Sequence, residues 1–391
     1  MSADNPPTVG WTPIAFGALD IRAVSGFAPG GEILVAPTRP GDILCLLEPA
    51  ASLWRRLVDA QPLPADALSP DEAHLVGELA RVGLATVETD HPAAMSAVPT
   101  PTLSSPMHEL VYAIVHHVAR ERGVACVFVK GPALHHQGLR AREHSGDVDV
   151  WCLPSKADDL ATALEDRGWH RSPDPWSGTS FPHSIAMLPR TWGCEVDVHR
   201  RMPGLTLDDV DAFEVVRRDT VPVTYAGVEV QVPSPPTHAV LAAVNAVRPG
   251  IGQGVPTPLV SSTATATLRA GGPLALERAR TLGAVPALRT ELRTVAPEQD
   301  WNDDGIPHDW AWRTQPTRGR AYAVALLSLP ARERLTAARR VLWPSDDVAL
   351  ASARRANDST TDPGRARRQR LMRGLREAAG GWLIGQRGGR S

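Results

Sequence analysis

Apolar positions along the chain change period several times, and the changes divide it into elements. Residues 19–24, 32–35 and 42–46 hold short apolar runs between Gly/Pro turns and read as three strands. Leu53, Trp54, Leu57 and Val58 then recur at helical spacing. Ser69-Pro70-Asp71-Glu72 opens a second helix, with Ser as N-cap, Pro at the first helical position and Glu three residues after the cap. That helix carries Leu75, Val76, Leu79 and Val82 and stops at Gly83, before strand-like residues 84–87. Strands followed by two helices predict a winged-helix domain over residues 10–88.

Residues 89–104, rich in Pro, Ser, Thr and Ala, read as a linker. Ser105-Pro106 starts a helix with Leu110, Val111, Ile114, Val115 and Val118 on one side. Residues 124–129 form a buried-strand pattern that ends at Lys130-Gly131-Pro132 and gives way to helix-compatible residues 133–137. Residues 146–151 and 195–199 read as further strands, and 221–225 with 228–232 as a hairpin. From Thr237 to about residue 345 the pattern is helical. The expected class is α+β: a winged-helix domain, a mixed sheet flanked by helices over 105–233, a helical domain over 234–345 and a basic tail over 346–391.

The chemistry concentrates in two of these strands. Alternate residues of a strand share a face, so Asp147 and Asp149 project together, with Val148 and Val150 turned to a core and Gly146 leaving room for a ligand. Glu195, Asp197 and His199 share one face of the second strand. Three carboxylates on adjacent strands suit octahedral magnesium holding nucleotide phosphates. Geometry in the sequence alone leaves open whether Asp197 or Glu195 is the third ligand. The chain has only two lysines, and one of them, Lys130, precedes Gly131 at a turn suited to phosphate.

The order strand, Lys-Gly turn, short helix, Arg, Gly-Asp-x-Asp, then an acid two residues before a His resembles the uncharacterised nucleotidyltransferase family related to DNA polymerase beta. The resemblance spans about residues 105–345. It implies Asp147, Asp149 and Asp197 as catalytic metal ligands for Mg2+ or Mn2+. Lys130, Gly131 and Gly146, with Arg140 or Arg142, would bind a nucleoside triphosphate, ATP being the first choice. On the strand face itself, Glu195 is open as a ligand, a hydrogen-bonding neighbour of the ligands or a solvated acid, and His199 equally as a hydrogen-bonding neighbour or as a base or substrate contact. Pro132 departs from the usual turn by removing one amide donor.

Residues 15–88 resemble the small peptide-binding protein D of pyrroloquinoline-quinone synthesis, through the helix near Trp54 and the Gly83-Leu84 ending. That likeness implies a precursor leader peptide as partner, added as a strand to the sheet edge. Together the two resemblances predict an enzyme that transfers a nucleoside monophosphate to a ribosomally made peptide. Two alternatives remain open: a catalytically idle peptide-binding chaperone, and a toxin- or antitoxin-type nucleotidyltransferase acting on tRNA or protein.

Composition narrows the picture further. No run approaches eighteen apolar residues and the start is unlike a signal peptide, so a cytoplasmic protein with no membrane span is expected. A net charge of -2 argues against general nucleic-acid binding, and the helix from residue 70 opens acidic. Cys45, Cys126, Cys152 and Cys194 lack any paired spacing and are expected as free, buried thiols. In the tail, Arg365, Arg367, Arg368, Arg370, Arg373 and Arg376 stand beside Leu371, Leu375, Trp382, Leu383 and Ile384. A basic amphipathic helix docking one apolar stripe on its own protein is expected there.

Overall fold

The computed structural model describes residues 10–251, 257–303 and 305–387, and the side chains of His308, Leu375 and residues 377–387 lie outside the described set. Trp382, Leu383 and Ile384 of the expected tail stripe fall there. The chain forms two compact units, one holding residues up to Arg171 with Ala186–His199 and Val216–Ser234, the other holding the rest. The architecture is α+β, with a central mixed sheet flanked by helices and a helical C-terminal region.

The first unit begins with strands β1 (Gly10–Pro13), β2 (Gly17–Asp20), β3 (Ile33–Ala36) and β4 (Leu44–Leu46), then helix α1 (Ala50–Ala60), strand β5 (Leu63–Pro64), helix α2 (Pro70–Arg81) and strand β6 (Ala85–Thr86). Strands β5, β1 and β6 form one small sheet in that order, and β2, β3 and β4 another. The predicted capping box is present: Ser69 Oγ accepts from Glu72 N at 3.3 Å while Glu72 Oε2 accepts from Ser69 N at 2.9 Å. Trp54 of α1 is fully buried and its indole N–H donates to Leu84 O at 2.9 Å. Apolar residues of both sheets and both helices close around it in one core.

Residues 89–104 have no helix, but they are packed along the protein. Ala93, Met95 and Leu103 are buried, Met95 N donates to Pro13 O at 3.0 Å, and Gln61 Nε2 donates to Met95 O. Helix α3 (Pro106–Glu121) follows. Strand β7 (Cys126–Val129), helix α4 (Gly131–His136), strand β8 (Asp147–Cys152), helix α5 (Ala157–Glu165) and strands β9 (Trp169–Arg171), β10 (Ser184–Pro189) and β11 (Glu195–His199) come next. They build a five-stranded sheet in the order β7-β8-β11-β10-β9. Helix α6 (Asp209–Arg217) and the hairpin β12 (Thr220–Tyr225) and β13 (Val228–Pro233) complete this stretch.

Helix α3 carries the contacts between these parts. Glu109, 1% exposed, accepts from the backbone N–H groups of Thr102 at 2.8 Å, Leu103 at 3.0 Å and Ala226 at 2.9 Å. On the same helix the His117 ring stacks on Phe16 at 4.8 Å, and the Arg167 guanidinium lies 4.5 Å from the centre of that Phe16 ring. Ala18 N donates to Ala226 O at 3.0 Å and Asp20 N to Pro99 O at 2.8 Å, so the outer side of β2 is taken. Strand β4 is left as the edge of its sheet.

The second unit takes Ser172–Ile185 and Arg200–Val215, with most of α6, and is otherwise helical: α7 (Pro235–Val247), α8 (Pro258–Gly271), α9 (Pro273–Thr281), α10 (Val285–Val295), α11 (His308–Arg313), α12 (Arg318–Ser328), α13 (Ala331–Leu342), α14 (Asp346–Arg355) and α15 (Pro363–Arg387). Within it a buried ion pair joins Arg201 to Asp309 at 3.0 Å. Ala366 of α15 packs with Ala349 and Ala353 of α14, while Leu371 and Met372 remain exposed. The tail therefore docks on its own unit through small residues. Among the described residues no helix is long and apolar enough to cross a membrane. All four cysteines are free; Cys152 alone is fully buried, the other three being half-buried, which corrects the expectation of four buried thiols.

Candidate active site

Strands β8 and β11 pair in parallel, in a register that sets Asp147 opposite Glu195 and Asp149 opposite Asp197. The pairing brings both acidic strands side by side, and a one-residue slip would turn the acids to the other face. Val148, Val150, Val196 and Val198 are fully buried and fix that register from the core side. Asp149, Asp197 and His199 form a group whose ligand atoms all lie within 4.8 Å of one another.

Asp149 is the centre of the group and is only 2% exposed. Its Oδ1 lies 2.6 Å from His199 Nε2 and 2.5 Å from Lys130 Nζ. Burial pushes the Asp149 carboxyl up, but the His199 hydrogen bond and the charges of His199 and Lys130 outweigh it and hold the group below the ordinary carboxylate range. Asp197 goes the other way. Burial raises it, Asp149 and Asp147 add their negative charge, and His199 and Lys130 offset only part of this. The carboxylates of Asp149 and Asp197, brought together on adjacent strands, offer the oxygen ligands that Mg2+ or Mn2+ takes, with His199 hydrogen-bonded to Asp149 beside them.

Other predicted residues fall around this group in different ways. Asp147 stands at the start of β8, half-buried, and its Oδ1 accepts from Ser145 Oγ at 2.8 Å, outside the three-residue group. Glu195 is half-buried beside it in the register. Gly146 opens onto space, since a Cβ built there meets nothing within 4 Å. Arg140 spends its guanidinium on backbone carbonyls, donating to Gly131 O and Glu143 O at 2.9 Å and to Arg142 O at 2.7 Å. Arg142 is exposed.

The Lys130-Gly131 turn has an unusual backbone. Lys130 lies at φ 62° and Gly131 at φ 59°, the first a conformation that costs a side-chain-bearing residue of the order of 1–3 kcal/mol. A side chain at Gly131 would be strained, since φ is positive and a Cβ there would sit 2.3 Å from the Tyr112 hydroxyl, which would have to shift. Tyr112 of α3 is buried, and its hydroxyl has no hydrogen-bond partner among the described residues. Burial raises its pKa well above the ordinary tyrosine value, with Tyr225, Asp149 and Asp147 adding to it. Sequence reasoning passed over Tyr112 and Ser145. Ser145, two residues before Asp147, was visible in the same run, whereas nothing in the helical pattern of α3 separates Tyr112 from core.

Residues 104–259 match the family model of an uncharacterised nucleotidyltransferase family. This stretch is similar to that nucleotidyltransferase family. It holds Lys130, all the acids of the site and His199, and it begins where the predicted resemblance begins. No curated protein sequence matches the chain. Among solved structures, the antibiotic-resistance factor ANT(2'')-Ia is similar over 48% of this chain and 91% of its own, at 11% identity and a TM-score of 0.29. The match supports an enzyme of nucleotidyl transfer, a reaction whose donor is a nucleoside triphosphate.

Proposed function

We propose that this nucleotidyltransferase transfers a nucleoside monophosphate, AMP from ATP in the first instance, to a ribosomally made peptide whose leader segment binds the N-terminal strands. The acceptor's nucleophilic oxygen attacks the α-phosphorus, and pyrophosphate leaves. The observation that carries the transfer chemistry is the compact group of Asp149, Asp197 and His199, aligned by the parallel register inside the matched domain. Asp149 and Asp197, with Asp147 beside them, would hold Mg2+ or Mn2+, which when bound neutralises phosphate charge and lowers the pKa of the acceptor hydroxyl.

The chain's own residues have distinct tasks in this reading. His199 hydrogen-bonds Asp149 Oδ1 and fixes the carboxylate's orientation. Arg140 braces the Lys-Gly turn through the Gly131 carbonyl, so exposed Arg142 is the arginine available to the leaving pyrophosphate. Open space at Gly146 admits the triphosphate next to Asp147. For the peptide, support comes from the sheet order: β2 is covered by Ala226 and Pro99, while β4 is the edge strand of its sheet among the described residues, where another strand could add.

The test has two parts. The full chain is incubated with each α-labelled nucleoside triphosphate, Mg2+ or Mn2+, and a short peptide encoded beside its gene, and label transfer and pyrophosphate release are followed. Transfer to the peptide, faster with its leader than without, is expected. Pyrophosphate release with no label on the peptide would discard the peptide and keep the enzyme; no release with any triphosphate would discard the reaction.

A further inference from the structure

One cation already sits in the acid group, and it belongs to the chain. The Lys130 ammonium lies 2.5 Å from Asp149 Oδ1, the same oxygen that lies 2.6 Å from His199 Nε2. That oxygen therefore faces two donors, with its carboxylate 2% exposed. Lys130 remains 19% exposed, so its ammonium sits at the boundary between the acids and solvent, at the end of a stem long enough to swing. Its backbone φ of 62° is a conformation that the local fold imposes at this turn rather than one lysine prefers.

We infer that Lys130 and a divalent cation are alternative partners of Asp149, and that the triphosphate makes the exchange by taking the Lys130 ammonium onto its phosphates. This rests on the nucleotidyltransferase reading above and adds an order of events to it. Two positive charges cannot share one buried oxygen cheaply, because their repulsion at such distances is strong in a site largely closed to water. In the nucleotide-free protein Lys130 holds the position, and divalent cation binding is weak. A triphosphate offers the ammonium a more highly charged partner than one carboxylate, which frees Asp149. Cation and nucleotide then bind with positive coupling, and by linkage each strengthens the other by the same factor.

The experiment measures Mn2+ affinity by the electron paramagnetic resonance of free Mn2+, in the full chain, with and without the non-hydrolysable α,β-methylene analogue of ATP. Wild type is expected to bind Mn2+ weakly alone and at least about tenfold more tightly with the analogue. Lys130→Met should bind Mn2+ at least about tenfold more tightly than wild type without the analogue, and gain less from it. Lys130→Gln, which can still hydrogen-bond Asp149, gives the same reading if the methionine variant does not fold, and Lys130→Arg should behave as wild type. Unchanged or weaker nucleotide-free Mn2+ binding in both neutral variants would overturn the inference while leaving the cation site standing. Absence of Mn2+ binding in every form, analogue included, would overturn the cation site itself and the inference with it.

Discussion

Replacing Phe16 with Ala tests whether the N-terminal strands are a tethered module or part of the catalytic unit. Phe16 is 2% exposed, with the His117 ring stacked at 4.8 Å and the Arg167 guanidinium 4.5 Å from its centre. Removing a buried phenyl ring costs about 3–5 kcal/mol through lost transfer energy and the cavity left behind. The stacked imidazole and the cation over the ring account for roughly 1 kcal/mol of specific contact within or beyond that figure. For a unit of this size the loss lowers Tm by roughly 6–20 °C, at about 2–4 °C per kcal/mol. Hydrogen exchange read by mass spectrometry in increasing urea follows residues 10–88 and the strands β8 and β11 separately. Both are expected to lose protection at the same, lowered urea concentration, because Phe16, Ala18 and Asp20 are bound to α3, the β12–β13 turn and residue 99. Melting of residues 10–88 at lower urea, with β8 and β11 still protected at their wild-type midpoint, would refute the reasoning and restore a linker-joined domain.

Asp197→Asn should abolish transfer, by a factor of at least about a hundred, yet leave Tm unchanged or slightly raised, since it removes one of several crowded negative charges; a wild-type rate in the folded variant would sink its assignment. Tyr112→Phe removes a buried hydroxyl with no partner among the described residues and should leave stability unchanged or raise it by up to about 1 kcal/mol in urea melts. His117, 7% exposed, is held down to a pKa of about 3 by burial, against 6.5 when unfolded, so it is neutral in the folded protein. The unfolded chain takes up the extra proton on acidification. Its contribution is complete above pH 6.5 and declines as the pH falls toward 3, amounting to about 2 kcal/mol lost by pH 5 at roughly 1.4 kcal/mol per unit. Tm measured between pH 7 and pH 5 should fall less in His117→Gln than in wild type, and parallel curves would count against the assignment.

Local signals were legible where chemistry was local. The Ser69 capping box, the Ser105-Pro106 helix start and the two acidic strands all lie where their own residues dictate. The first strand of the β2–β3–β4 sheet starts at Gly17 rather than residue 19, because its outer partners are Ala226 and Pro99, which no window around it contains. Strands β1 and β5 were not visible either: one is bounded by Gly10 and Pro13 and the other is two residues long, so neither has room to show a period. In the site, the acids could be listed from sequence, but which of them meet depends on the parallel register of β11 against β8, with two intervening strands and a helix between them in the chain. That register, not the spacing of the motif, draws His199 into the group and leaves Asp147 bonded to Ser145. The choice between Arg140 and Arg142 was likewise beyond spacing, since only the folded loop reveals that Arg140 is occupied by carbonyls.

Helix α3 explains why the N-terminal strands and the catalytic turn belong to one unit. Over sixteen residues it presents Glu109 to the backbone of Thr102, Leu103 and Ala226, Tyr112 to the niche beneath Gly131, and His117 to Phe16. A helix is stiff over this length, so these three contacts cannot shift independently. Glu109 accepts from the buried N–H groups of Leu103 and Ala226 and from that of Thr102, which ties the segment before α3 and the β12–β13 turn to it. Ala226 in turn accepts from Ala18 of β2, so the chain of contacts runs from the N-terminal sheet through the hairpin turn to the helix that shapes the Lys130-Gly131 turn. The Tyr112 hydroxyl lies directly beneath Gly131, 2.3 Å from where a Cβ would stand. A movement of α3 along its axis would therefore displace the backbone that carries Lys130, and with it the ammonium now on Asp149.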